Sequence, residues 1–587
     1  MFDRRSTVAE ALRSPAARTL LDRHLPGVVS SPAVAQLGSM RLGQLTQMVP
    51  ATREDPALAD LLWAELAALA DGHDAAPVYG RAIEPDPGYE PATVARGSAT
   101  VELPAVELPA VVGRWGVLEV TFHGPSHGNP FVDVELTAIF SQGERTLTAG
   151  GFYDGDGLYR VRVLAEREGR WEFETSSTAR SLDGIRGAVE VGPPAPGNHG
   201  PVRVDGFHFR YADGTRHRPI GTTCYAWTHQ GEALERATLE TLRSAGFTKM
   251  RMCVFPKSYL FNENEPELYP FEGSLESGWD VERFDPAFFR HLEERITDLA
   301  DLGIEADLIL FHAYDRWGFA DLGPAVDDRY VRYLVRRLAA LRTVWWSMAN
   351  EYDLLWAKTT VDWERLAAVV GENDPHGHLN SIHNCFSFYD YAKPWITHAS
   401  MQRIDPYRTA ENTNAWREQW GKPVVIDECA YEGDIDQGWG NITGEEMVRR
   451  SWEGAIRGGY VGHGETYLND REELWWSKGG ELVGTSPARI AFLDRILADS
   501  PTGVIDPLPS EWDVPWGGVA GRYVLGYFGF NQPRYRDLVL PDGDFHIDVI
   551  DTWRMTIDRL DGVHRGTVRV DLPGRQYMAV RLVRAAD

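Results

Sequence analysis

Between residues 216 and 500 the sequence repeats one pattern: a short apolar run ending in polar or charged residues, then an amphipathic stretch of helical length. The runs are RPIGTTCYAW, KMRMCVF, EADLILFH, TVWWSMANE, LNSIHN, ITHASMQ, KPVVIDE and YVGHGE. Segments such as DPAFFRHLEERITDLADLG and DRYVRYLVRRLAALR fill the gaps, with apolar residues at three- and four-residue intervals. Strand alternating with helix predicts parallel strands joined by crossovers, and eight such units suit a (β/α)8 TIM barrel. A doubly wound sheet is the rival, but no glycine-rich phosphate turn follows the first run.

The flanks follow other periods. VAEALRSPAARTLLDRHL and DPALADLLWAELAALADG read as helices, with Asp55-Pro56 a start signal. Residues 95–200 alternate apolar and polar residues with period two (GVLEVTFHG, VDVELTAIF, LYRVRVLAE, RWEFETSS), which predicts an antiparallel β-sandwich. The same alternation returns after residue 500. The expected α/β layout is therefore a helical segment over 1–80, a β-sandwich over 95–200, the barrel over 201–500 and a small C-terminal β-sandwich over 501–587. The N-terminal helices offer a surface for self-association.

Composition narrows the ligand. A net charge of −27 repels phosphate backbones and anionic lipid, which argues against nucleic-acid and membrane roles. The chain carries 20 Trp and 22 Tyr; most belong to cores, but such a surplus suits the apolar C–H faces of sugar rings. The start MFDRRSTVAEALRSPAARTLL lacks an apolar signal core, and four cysteines show no metal spacing, so a reducing cytoplasm is expected. A small neutral carbohydrate is the expected partner, with neither cofactor nor metal.

In a barrel the carboxyl ends of the strands face the active site. The fourth run ends in Asn350-Glu351 and the seventh in Asp427-Glu428. Strands four and seven lie roughly across a barrel mouth, so their terminal carboxylates can serve one bond. Retaining glycoside hydrolysis needs such a pair: one carboxyl protonates the leaving oxygen while the other attacks the anomeric carbon. In phase with Val424 and Ile426, Glu428 is expected inside the barrel and Asp427 outside.

This constellation resembles the clan of retaining (β/α)8 glycoside hydrolases, cellulase-like members included, with acid/base and nucleophile on strands four and seven. The resemblance implies that Glu351 is the acid/base, Glu428 the nucleophile, Asn350 a ligand of the 2-hydroxyl and Arg251, in LRSAGFTKMRM, a support for the nucleophile. It implies sugar-binding roles for His312 in LILFH and His398 in ITHASMQ. NPFVDVEL, GFYDGDGLYRVR and GTTCYAWTHQ further resemble a little-characterised group of glycoside hydrolases with sandwiches on both sides of the barrel. The clan usually sets a strand-six Tyr against the nucleophile; ITHASMQ has none, leaving Tyr314, Tyr407 or Tyr431 to substitute. In place of the usual strand-eight Trp stand His463, Glu465 and, in a later loop, Trp475 and Trp476.

His383 joins the histidines placed at strand ends, where neutral imidazoles donating to sugar hydroxyls explain them without a metal. Glu465 either binds a hydroxyl or belongs to the structure. Asp315, Arg316 and Trp317 either form a loop wall or pack among themselves. The expected activity is retaining hydrolysis, exo-acting on short oligosaccharides or small glycosides, either β-D-glycosides or α-L-arabinofuranosides. A non-catalytic carbohydrate-binding barrel and an endo-acting glucanase-like enzyme are the alternatives.

Overall fold

The computed structural model describes residues 2–29, 40–69, 85–95, 97–102, 112–403 and 408–585. Two compact units emerge: Met1–Pro201 with Cys253–Asp298 and Leu308–His378, and Val202–Met252 with Leu299–Asp307 and Leu379–Asp587. Eight short strands carry the α/β part: β1 (Gly221–Thr223), β2 (Lys249–Cys253), β3 (Glu305–His312), β4 (Val344–Asn350), β5 (Asn380–Ser381), β6 (Ala399–Gln402), β7 (Val424–Glu428) and β8 (Tyr460–Val461). Among the described residues, no helix is long and apolar enough to cross a membrane.

In the first unit, helices at Val8–Arg13, Pro15–His24, Leu42–Met48, Pro50–Glu54 and Pro56–Ala67 begin the chain. Their starts are chemically marked. Thr7 and Glu10 form a capping box, and Asp55 accepts the amides of Ala57 and Leu58 ahead of Pro56. The rest of the expected helical stretch, 70–80, lies outside the described residues. An eight-stranded, mostly antiparallel sheet follows, in which Arg145–Tyr153 pairs with Leu136–Gln142 and then with Leu158–Leu164. Leu118, Val120, Phe122, Phe140, Val161 and Phe173 belong to its core. A buried ion cluster ties this sheet to the α/β helices: Arg337 bridges Asp154 (2.8 Å) and Glu293 (2.7 Å), and Arg160 also holds Asp154 (2.9 Å). The helix expected from Asp328 starts earlier, at Pro324, because a proline at the first helical position needs no amide partner. A hairpin of Phe271–Ser274 and Gly278–Phe284, which the sequence did not suggest, follows β2.

In the second unit β1 pairs with β2 in parallel, and β6, β7 and β8 run parallel in that order. Beyond β8, His463 bridges Thr222, its amide donating to Gly221 (2.8 Å). β5 meets β6 through Thr397 N to Asn380 O (2.8 Å) and Ser381 Oγ to His398 O (2.6 Å). The strands of this unit thus lie side by side in the order β5-β6-β7-β8-β1-β2. A three-stranded sheet ending in Arg216–His217 precedes β1. A six-stranded sheet from Asp506–Leu508 to Met578–Arg584 ends the chain.

Inside these strands lies a charge, not a hydrocarbon. Lys249 of β2 is fully buried and donates to Asp307 of β3 (2.5 Å) and Asp427 of β7 (2.7 Å). Ser400 Oγ of β6 donates to the other Asp427 oxygen (2.6 Å). Asp427, expected outside, is therefore turned in among neighbouring strands. Simple alternation fails because the β6–β7 register shifts between Met401 and Gln402, and because a buried carboxylate needs a cation such as the one β2 supplies.

Replacing Lys249 by Met strands two buried carboxylates, and unfolding free energy from denaturant titration should fall by about 3–5 kcal/mol. A second expectation concerns acid. Burial lowers His217 to about 3 and His398 and His463 to about 4, from an ordinary 6.5. These imidazoles stay neutral in the folded chain where the unfolded chain binds protons, so stability is complete above pH 6.5 and declines as pH falls toward 4. Each contributes on the order of 3 kcal/mol to that decline, and calorimetry of His398→Gln should show a shallower loss than wild type.

Candidate active site

Two carboxylates end buried strands, one in each unit. In the first unit every residue of β4 is buried, and the chain leaves it through Glu351. Glu351 adopts φ 53°, ψ 57°, the left-handed region, as the cap of the turn Tyr352–Leu354. A glutamate there costs about 1–2 kcal/mol, strain of the kind that gathers at functional sites. Its carboxylate accepts the Tyr314 hydroxyl and Asn350 Nδ2 (3.1 Å). Tyr314, just beyond β3, lies against Tyr259 (ring centroids 4.7 Å apart) and under the Lys257 ammonium (4.6 Å). Tyr314 thus serves Glu351. His312 at the end of β3 has Nε2 3.1 Å from the Phe255 carbonyl. Asp315 accepts the amides of Trp317, Gly318 and Ala320, so it shapes the loop rather than pairing with Arg316.

In the second unit Glu428 ends β7 and accepts the Tyr225 hydroxyl. His383 Nε2 stands 3.3 Å and Arg251 Nη1 3.7 Å from its Oε1. Burial pushes this carboxyl up, but the His383 imidazole, the Arg251 guanidinium and the Tyr225 hydroxyl outweigh it and hold the group well below the ordinary glutamate range. Glu428 is therefore a buried carboxylate kept as an anion. The three guanidinium nitrogens of Arg251 are buried without a hydrogen-bond partner among the described residues, although Nε stands 3.6 Å from Asp307. Tyr431 also adjoins Glu428, and that charge, after burial, raises its phenol. Tyr407 lies outside the described residues. Trp476 packs edge-on to Tyr225 (5.6 Å) and beside Trp439 (4.9 Å), making an aromatic wall on the Glu428 side. Trp475 instead donates to Thr222 (2.8 Å) and sits in the core.

The remaining positions have other surroundings. His398 precedes β6 instead of following it, and its ring lies edge-on to Phe209 (5.8 Å), at the strand's amino end. His463 Nδ1 meets Thr222 Oγ1 (3.1 Å) while its ring stacks on Phe247. Glu432, His463 and Glu465 bring one ligand-capable atom each within 4.8 Å of one another. Both carboxylates are already engaged with the chain. Glu465 accepts the amides of Val483 (2.7 Å) and Gly484 (2.8 Å), and Glu432 those of Thr485 (2.7 Å) and Ser486 (2.9 Å). Burial nevertheless raises Glu465 to about 7.

Sequence reading missed Tyr225. It lies two residues past β1, in the position a strand-end site residue takes, and that position was its only signal.

Three family models match the chain in series. A domain of unknown function, DUF5060, matches residues 111–178, the apiosidase-like catalytic domain matches 205–478, and a second domain of unknown function, DUF5605, matches 512–583. None of the curated proteins matches. A crystal structure of a candidate glycoside hydrolase from Bacteroides vulgatus is 39% identical, with TM-score 0.76, covering 81% of this chain and 99% of its own. A family 5 glycoside hydrolase from the same species is 15% identical with TM-score 0.54, covering 67% of this chain and 95% of its own. The second likeness shows the shared TIM-barrel-like fold.

Proposed function

Because the chain belongs to the glycoside hydrolases with an apiosidase-like catalytic domain, we propose that it hydrolyses the O-glycosidic bond of a short glycoside with retention of configuration. The observation that carries this reading is the Glu428 carboxylate, buried yet held ionised by His383, Arg251 and Tyr225. A nucleophile must stay anionic while desolvated, and this environment meets both demands.

Glu428 attacks the anomeric carbon as the bond to the leaving oxygen breaks. Glu351 delivers its proton to that oxygen, and the leaving group departs as a neutral alcohol. Glu351, now a carboxylate, takes a proton from water. The resulting hydroxide-like oxygen attacks the same carbon and expels Glu428, restoring both groups. Asn350, beside Glu351, and the Arg251 donors are placed for sugar hydroxyls. The sequence reading of an exo-acting enzyme fits a terminal β-D-glycosyl, α-L-arabinofuranosyl or, following the family's description, apiofuranosyl unit.

A panel of 4-nitrophenyl glycosides carrying apiose, arabinofuranose, glucose and galactose should yield nitrophenol with one or two sugars. Glu428→Ala should abolish release, Glu351→Ala should lower turnover of an unactivated glycoside about 10²–10⁴-fold, and NMR should find the product anomer retained. Binding without release by wild type, or an inverted product, would overturn the reading. Tyr225→Phe removes a donor to the ionised form of Glu428 and so raises that group's pKa. The acid limb of its kcat/KM profile should move about one to two pH units upward, the equivalent of one lost charge-assisted hydrogen bond.

A further inference from the structure

The N-terminal helical segment lies on the loops that follow the Glu351 strand and the strand before it. Gly43 sits where any Cβ would run into the Trp356 indole. Arg4 lies over the rings of Trp63 (5.3 Å) and Trp356 (5.9 Å). Arg41 donates to the carbonyls of Asp315 (3.3 Å) and Arg316 (2.8 Å), and Arg5 pairs with Asp321. The matched family models begin at residue 111, so this segment is an addition to what they describe.

Between the segment and the loops is a cavity of about 340 Å³, walled by Arg41, Gln44, Trp279, Asp315, Trp317 and Trp356 among others. That size lies in the range of small-molecule sites. Its chemistry is that of a neutral, hydroxylated ligand. Three indoles line it, and the cations and carboxylates of the wall are of both signs. One buried donor, Gln44 Nε2, has no partner among the described residues, while its Oε1 already accepts the Arg41 amide (2.8 Å).

The cavity's place decides its role. Ala313 and Asp315 in its wall flank Tyr314, whose hydroxyl donates to Glu351. Leu354, Leu355 and Trp356 are the residues reached by the turn that Glu351 begins. An acid/base must stand against the leaving oxygen, so the group beyond that oxygen lies on the Glu351 side. We propose that this cavity is a leaving-group subsite for a sugar, built jointly by the N-terminal segment and the loops after β3 and β4. The proposal rests on the glycosidase reading. It makes a disaccharide or longer glycoside, rather than a glycoside of a small alcohol, the preferred substrate.

The test compares two substrates carrying the glycone found in the aryl panel: the glycosyl fluoride, whose leaving group cannot reach the cavity, and the glycosyl-(1→6)-glucose. Gly43→Leu drives the segment off Trp356, and Gln44→Glu replaces the vacant donor with an acceptor of the same shape. In each, kcat/KM for the disaccharide relative to the fluoride should fall tenfold or more, with the thermal midpoint of Gln44→Glu close to wild type. An unchanged ratio in a folded Gln44→Glu variant would overturn the subsite while leaving the glycosidase intact. A wild type that cleaves neither substrate would overturn both.

Discussion

A buried ammonium organises the α/β core. Lys249 is fully buried and donates to carboxylates on two other strands, Asp307 and Asp427. Burying those charges is tolerable only as a complete set, so β2, β3 and β7 are committed to one register by electrostatics as well as by packing. Two residues further along β2, Arg251 continues the same line of charge toward Glu428. The cluster thereby reaches Glu428: His383 first, and then Arg251 of this line of charge, keep that desolvated carboxyl ionised.

The two glutamates are supported differently. Glu428 is surrounded by donors and positive charge, which favour its anion. Glu351 accepts a phenol and an amide and stands on a strained backbone.

Much of this was legible because it is local. The ends of TVWWSMANE and KPVVIDE put Glu351 and Glu428 at strand ends by position alone, and LRSAGFTKMRM places Arg251 on β2. What was not legible depends on pairing across the fold. Tyr225 meets Glu428 from 203 residues away, and no period in the sequence encodes that meeting. Asp427 reverses its expected side because of a register shift, and His398 proves to stand before its strand, where the run ITHASMQ gave no sign of where pairing begins. Glu465 looks like a site acid from its strand end, yet its oxygens take the amides of a loop that follows it.

The N-terminal segment has a consequence for how the chain is made. Arg5 finds Asp321 at a separation of 316 positions, so the segment has no docking surface until the loops after β3 and β4 have folded. Contacts of such long loop closure form late and are slow to be won back once lost. The wall beside Glu351 is therefore completed only after the strands that carry it have folded, and partly unfolded molecules would present the Trp356 face bare.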